Sequence, residues 1–317
     1  GIDETSVASY PEPLTLWHRH LGDFLRAVAA GKAAAVGLDI VLPDHSYNAV
    51  LPGSDEALMM GILAAKKEVP VVLARTVEAS GKQRVLFRKF QLLAGEEGTG
   101  LALFPRDADH VVRRFDERIG DNGSVVPTLV GQLSRQLGRD PAPGMIDFSR
   151  GSPFNYIPLH AVLGAFQAGD GAALRRMFEG RPVLLGSVLP SSDAVLQPVN
   201  LASWEDNANL APGVLIHAQA LRSILNHGLI QDVPAWLVAA AIFSASLFWF
   251  AGLRPLLAGG ILAAVAAGAF AGSAWLFRQG WYFPLSGIYA AAGIGLIGPL
   301  AGDAWRKLKE RLILKRS

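Results

Sequence analysis

The sequence predicts an α/β layered extracytoplasmic domain with a largely parallel or mixed sheet, followed by a three-helix transmembrane bundle. Three observations lead there. Over the first two-thirds of the chain, short apolar runs alternate with segments of helical spacing, the pattern of strands connected by helices. Between Asp232 and Asp303 the only charged residues are Arg254 and Arg278. Those two arginines cut the stretch into pieces of about 20 residues, the length a helix needs to cross a hydrocarbon core of about 30 Å.

Taken in order, a polar lead-in with Pro11 and Pro13 gives way to helical spacing from Leu14 to Ala30, with Leu14, Trp17, Leu21, Phe24, Leu25 and Val28 on one side. Ala33 to Leu42 is an apolar run stopped by Pro43, as a buried strand is. Ser54 opens a helix to Lys67 with Asp55 and Glu56 in its first turn. Val69 to Thr76 is a second buried strand. Gln83 to Leu93 and Leu101 to Phe104 are expected as further strands, with His110 to Phe115 pairing against them as a hairpin. Val126 to Leu137 reads as helix and Met145 to Phe148 as a short strand. Ile157 to Phe166 and Asp170 to Phe178 are helices, Arg181 to Ser187 a strand, and Gly213 to Asn226 the last helix before the membrane. No repeat or low-complexity linker divides residues 1–232, which form one expected domain.

The expected spans are about 234–252, 255–277 and 282–304. Pro234 stands at a first helical position, Gly252 and Pro255 flank Arg254, and Gly280 and Pro284 bracket the third start. Trp236, Trp249, Trp275, Trp281 and Tyr282 fall near span ends, where amphipathic rings favour the membrane interface. A buried hairpin core in a soluble protein would not need three consecutive uncharged pieces of this length. After the third span, residues 305–317 hold six basic residues against one acid, which the positive-inside rule assigns to the cytoplasm. Three crossings then leave residues 1–232 outside. Arg254 agrees with that orientation, and Arg278 runs against it.

Charge divides the chain the same way. Residues 234–317 carry eight Lys/Arg and two Asp/Glu, and the first 233 carry 21 and 25. A mildly acidic outer part argues against a nucleic-acid partner. There is no cysteine, which removes disulfides, thiolate metal sites and cysteine nucleophiles. About 230 residues bury a core without such crosslinks. Export of residues 1–232 with no apolar run before residue 30 leads to the expectation of an export signal upstream of Gly1, most simply a membrane helix.

Several segments resemble the CHASE-two (CHASE2) extracellular sensory domain of bacterial membrane receptors. They are Gly37 to Asp44 (GLDIVLPD), His110 to Arg114 (HVVRR), Pro182 to Ser187 (PVLLGS) with Asp193 and Gln197-Pro198, and above all Pro212 to Leu221 (PGVLIHAQAL), which resembles the family's closing helix. Gln197 and His110 stand where the family often has Thr and Gly. The resemblance covers essentially the whole chain, because three membrane helices usually follow such a domain. It implies a bacterial inner-membrane receptor, multi-pass, whose cytoplasmic output is an adenylate or guanylate cyclase or a protein kinase beyond Ser317.

No residue pattern within the chain points to catalysis; G-x-S-x-G, H-E-x-x-H and P-loop spacings are absent. Gly293 to Gly298 (GIGLIG) matches a dinucleotide fingerprint, but inside a membrane span it lacks the strand and acid the fingerprint needs. Small residues recur every four positions as Gly260, Ala264, Gly268 and Gly272, and as Gly287, Ala291 and Gly295. That spacing lets helices approach closely, and ordinary Ala-rich composition is the competing account. The spans hold no ionisable residue of the kind a transporter uses.

None of the seven histidines sets up a metal site, and no cofactor is expected. In open parallel sheets, ligands sit beyond the carboxyl ends of the strands. The candidate ligand-binding residues there are Asp39, Asp44 and His45 after one strand, Arg75 after another, and Ser187, Ser191, Ser192 and Asp193 after a third. Arg113 and Arg114 could hold an anion through paired N–H groups. His217 lies on an apolar helix face and reads either as a core histidine or as a ligand contact. The tail, with Leu308 and Leu312 on one face, would be held against the inner leaflet by anionic lipid and in a receptor would be the rod passing motion inward; a solvated stop-transfer tail is the competing account. Two readings follow: the sensory and relay part of a homodimeric receptor for an unknown signal, or an accessory subunit whose outer domain docks a partner protein. The reading frame beyond Ser317 separates them.

Overall fold

The computed structural model describes residues 1–78, 81–190, 193–206 and 210–314. It divides into two compact units, Gly1–Leu229 and Ile230–Ser317.

The first unit begins with α1 (Glu4–Ala8), capped by the Asp3 carboxylate accepting from Ser6 N, and α2 (His18–Ala30) behind a single 3-10 turn at Leu14–Leu16. Then come β1 (Ala35–Asp39), α3 (Ser54–Lys66), β2 (Val71–Arg75), α4 (Arg88–Ala94), β3 (Thr99–Leu101) and β4 (Arg114–Phe115). The chain continues through α5 (Leu129–Gln136), β5 (Gly144–Met145), α6 (Leu159–Gln167), α7 (Gly171–Phe178) and β6 (Pro182–Gly186). It closes with β7 (Ala194–Leu196), β8 (Leu210–Pro212) and α8 (Gly213–Asn226).

Four strands form a parallel sheet in the order β3-β2-β1-β6, with Val36 opposite both Val71 and Val183. Ile2 extends the β6 edge by a parallel bridge to Ser187. Both faces are covered, which is why β1 and β2 are near-continuous apolar runs. Val36, Leu38, Val71, Leu73 and Leu185 face α2, α3, α4, α6 and α7. Ala35, Val72 and Ala74, on the alternate register, face α5 and α8. α2 and α3 cross in near backbone contact. A Cβ on Gly61 would lie 2.3 Å from Gly22 Cα, so neither position has room for a side chain.

Three expected elements differ. The expected strand from Gln83 to Leu93 is largely α4: Phe90 and Ala94 are buried four residues apart on one helical face, Leu86 is buried just ahead of the helix, and Gly95 at φ 77° stops it. The expected hairpin of His110–Phe115 with Leu101–Phe104 does not form. His110 turns the chain at φ 63°, and Arg114–Phe115 pairs antiparallel with Gly144–Met145, seating Phe115 among Val130, Leu133 and Ile146. The expected strand Met145–Phe148 is accordingly reduced to Gly144–Met145.

The second unit holds β9 (Gln231–Asp232), α9 (Ala235–Ser246) running into a 3-10 turn at Leu247–Phe250, α10 (Pro255–Arg278), β10 (Trp281–Tyr282) and α11 (Ser286–Leu314). α10 and α11 are long and apolar enough to cross a membrane, and the stretch Ala235–Phe250 is shorter. Trp281 and Tyr282, expected at the start of the third helix, instead pair in parallel with Gln231 and Asp232; α11 begins at Ser286 and continues through Pro299 into the basic tail. α10 and α11 are antiparallel, with Ser273 Oγ donating to Phe283 O and Tyr289 Oη to Ala266 O. α9 and α11 run in the same direction. A Cβ on Gly287 would meet Ile242 Cδ1 at 2.7 Å, and one on Gly295 would meet Trp249 N at 3.2 Å. Ala291 packs with the same cluster as Ala245, Ile288 and Ala292. At Gly260, Gly268 and Gly272 of α10, an added Cβ meets nothing within 4 Å.

Candidate ligand-binding site

The strand order fixes where a site belongs. After β1 the chain crosses to α3 on one face of the sheet and builds β2 and β3 to one side. β6 lies on the other side of β1, and α8, the next helix after it, covers the opposite face. The two neighbouring strands thus send their connections apart, and the crevice beyond their carboxyl ends is the topological switch point.

Asp39 closes β1 at that point, and α8 brings His217 over it, with Nε2 3.8 Å from Asp39 Oδ1 and side chains 5% and 8% exposed. The distance is too long for a hydrogen bond. His217 Nδ1 is buried without a partner, and its ring lies 4.7 Å from that of Phe104. His217 is therefore a core histidine with one ring nitrogen unsatisfied. Asp193 is the third member. Burial pushes the Asp39 carboxyl above the ordinary carboxylate range and Asp193 adds to the shift, while His217 opposes it. Asp193 takes a left-handed backbone conformation at φ 50°, and its carbonyl accepts from Gly213 N at 2.9 Å. A Cβ on Gly213 would approach Asp193 Oδ2 to 2.6 Å, so a side chain at the first residue of α8 would have to displace that carboxylate. Asp39 and His217 thus approach one another at the switch point, where the Asp39 carboxyl is desolvated and also feels the charge of Asp193.

The other candidates lie apart from this cluster. Asp44 and His45 are exposed and pair with one another, with Arg84 3.9 Å from Asp44. Arg75 ends β2 on the α4 face, where it lines a groove of about 600 Å³ with Arg88, Gln91, Leu92, Gly95, Glu96, Thr99 and Pro127. Its Nη1 donates to Gln83 Oε1 at 3.2 Å, and its Nε is buried with no partner. Burial lowers the Arg75 pKa from its usual value. Arg113 is held by Asp107 and Asp109 at 2.8 and 2.7 Å, which occupies its paired N–H groups. Arg114 lies in β4. Ser187 Oγ accepts from Leu189 N at 3.3 Å. Ser191 and Ser192 fall outside the described residues.

A second buried pair carries no sequence signal beyond an acid in a first helical turn. His18 Nδ1 and Asp55 Oδ1 are 3.0 Å apart, with both side chains nearly sealed from solvent. Asp55 also accepts from Ser46 Oγ and Tyr47 N, so it ties the loop after β1 to α2 and α3. Burial holds the His18 pKa below its usual value, against the pull of Asp55. Its partners account for Asp55 as a structural group. Among the described residues no three His, Asp or Glu side chains are grouped to hold a metal.

Compared with known families, the chain matches the model of the CHASE2 domain over residues 1–257. No curated protein and no solved structure matches the chain.

Proposed function

We infer the role of this chain from its membership: it belongs to the CHASE2 family, the extracellular sensory domains of signalling receptors. It is the sensory and membrane-relay portion of a bacterial inner-membrane receptor. Residues 1–232 lie outside, the basic tail lies in the cytoplasm, and the signal passes to a cyclase or kinase. The switch-point cluster supports a sensing centre, because α8 contributes His217 to it and the chain then runs through residues 227–234 directly into α9. Relay requires the signal to favour one of two arrangements. A second copy of the chain is the partner in this reading, and the uncovered α10 row of Gly260, Ala264, Gly268 and Gly272 is the face assigned to it.

The observation that carries the topology is the up-down-up order of the helices, with α9 alongside α11 from Gly287 to Gly295. Helices that run together occupy the same depth, so if α11 crosses, α9 does too. At 1.5 Å per α residue and 2.0 Å per 3-10 residue, Ala235–Phe250 is about 26 Å long. That is a few ångströms short of an average hydrocarbon core, a mismatch a bilayer absorbs by local thinning. The bare apolar surface of α10, with Leu256, Phe270 and Trp275 all more than half exposed, suits contact with lipid.

The absence of cysteine makes the test direct. Single variants Lys67→Cys, Ala251→Cys, Gln279→Cys and Lys309→Cys are treated with a membrane-impermeant maleimide from the periplasmic side. The receptor reading expects labelling at 67 and 279 and protection at 251 and 309. Labelling of Lys309→Cys together with Lys67→Cys would mean two crossings and would overturn the relay.

A further inference from the structure

We propose that the groove between β2 and α4 is a binding site for a small oxyanion, a carboxylate or a phosphate, held by Arg75 and Arg88. The argument starts from a charge imbalance. Arg75 is half-buried at the carboxyl end of an interior strand, and among the described residues its side chain has one polar partner, the neutral amide of Gln83. Arg88, at the start of α4, lines the same groove and has no hydrogen-bond or ion-pair partner among the described residues. Glu96 also lines the groove, yet its carboxylate is beyond ion-pair distance of both arginines.

A guanidinium withdrawn from water is normally paired, because leaving it uncompensated is costly. Among the described residues no carboxylate lies within ion-pair distance of Arg75. The buried Nε of Arg75 is a donor with nothing to donate to, and a planar guanidinium offers paired N–H groups to two oxygens at once. Gln91 and Thr99 are further polar residues lining the groove, and Leu92 and Pro127 are apolar ones. About 600 Å³ suits a small metabolite rather than a polymer. This site is distinct from the Asp39 cluster, whose two carboxyls would repel an anion. That the anion is the receptor's signal rests on the receptor reading; that the groove binds it does not.

The test uses the full chain in detergent, titrated by calorimetry with inorganic phosphate and, separately, with succinate, against chloride at matched ionic strength. Saturable binding of either anion is expected, and which one binds distinguishes the two sources. Arg75→Gln should weaken it at least about tenfold, and Arg88→Gln should weaken it less, since charge-assisted bonds to Arg75 are the better shielded ones. Thermal unfolding guards against a folding artefact. Without anion, Arg75→Gln should melt no lower than the parent, because it removes an unpaired buried charge. With anion, the parent should gain more than Arg75→Gln. The proposal is overturned if neither anion binds saturably up to about 10 mM, or if the Arg75→Gln, Arg88→Gln double variant binds as the parent does. It is equally overturned if Arg75→Gln lowers the anion-free melting temperature, since Arg75 would then be structural.

Discussion

Asp39→Asn tests the electrostatics of the switch point. Asp39 is nearly buried and 3.8 Å from His217. At an effective dielectric of about 20, a full charge pair at that distance gains about 4 kcal/mol. Removing both ions from water costs several kcal/mol each, and Asp193 repels the carboxylate further. Burial is the larger effect, and it raises the folded pKa above the ordinary 3.8. Between those two values the folded protein holds a proton that the unfolded chain has released. The stability from Asp39 is therefore complete below the unfolded pKa and is lost as pH rises through the folded one. The loss runs at up to about 1.4 kcal/mol per pH unit. Asparagine has the same shape and does not titrate. The stability difference between variant and parent should be small near pH 4 and grow in the variant's favour as pH rises, then level off. Urea midpoints of the full chain in detergent, read from hydrogen exchange of the β1 peptide between about pH 4.5 and 8, measure it. A difference that stays flat with pH, or one that favours the parent at high pH, refutes the reasoning.

Asp55→Ala removes one half of a sealed pair and leaves His18, Ser46 and Tyr47 N without their acceptor, so a loss of about 3–5 kcal/mol is expected in the same unfolding measurement; a loss below 1 kcal/mol would contradict the assignment of Asp55 as a structural tie. Gly295→Leu forces a side chain against the Trp249 backbone and should cost about 1–3 kcal/mol of the second unit's stability, seen as a lower melting temperature in detergent. Gly268→Leu meets nothing within the chain, so it should leave that temperature unchanged while reducing chemical crosslinking between copies. Equal effects of the two substitutions on melting would remove the distinction between the two small-residue rows.

Much of the sheet is legible in the sequence because β1, β2 and β6 are covered on both faces. A strand so placed reads as an apolar run bounded by Gly, Pro or charge, as in Ala33 to Leu42. α4 is not legible for the opposite reason. In Gln83 to Leu93 the apolar residues are dense enough to satisfy both a period of two and a spacing of four, and only the packing of Leu86, Phe90 and Ala94 decides between them. Asp39 is found from its place at a strand end, yet its approach to His217 joins residues far apart in sequence, and periodicity carries no information on such pairs. The His18–Asp55 pair escapes for the same reason. Small-residue rows announce that helices come close without naming the neighbour. Gly287 and Gly295 meet α9 and the turn that continues it, whereas a Cβ at Gly260, Gly268 or Gly272 of α10 would meet no described residue within 4 Å.

The two-residue pairing of Gln231–Asp232 with Trp281–Tyr282 works as a mechanical shortcut. Gln231 N is bonded to Gly280 O and Val233 N to Tyr282 O, so the beginning of α9 is fastened to the turn that feeds α11. A displacement arriving along the backbone at residue 231 therefore divides. Part enters α9, and part leaps some fifty positions ahead and enters the continuous rod from Ser286 to Leu314 without traversing α9 or α10. Such a linkage favours tilting or sliding of the helices as a set, and it makes Pro299, which interrupts the backbone hydrogen bonding inside that rod, the first place along it where motion can be redirected.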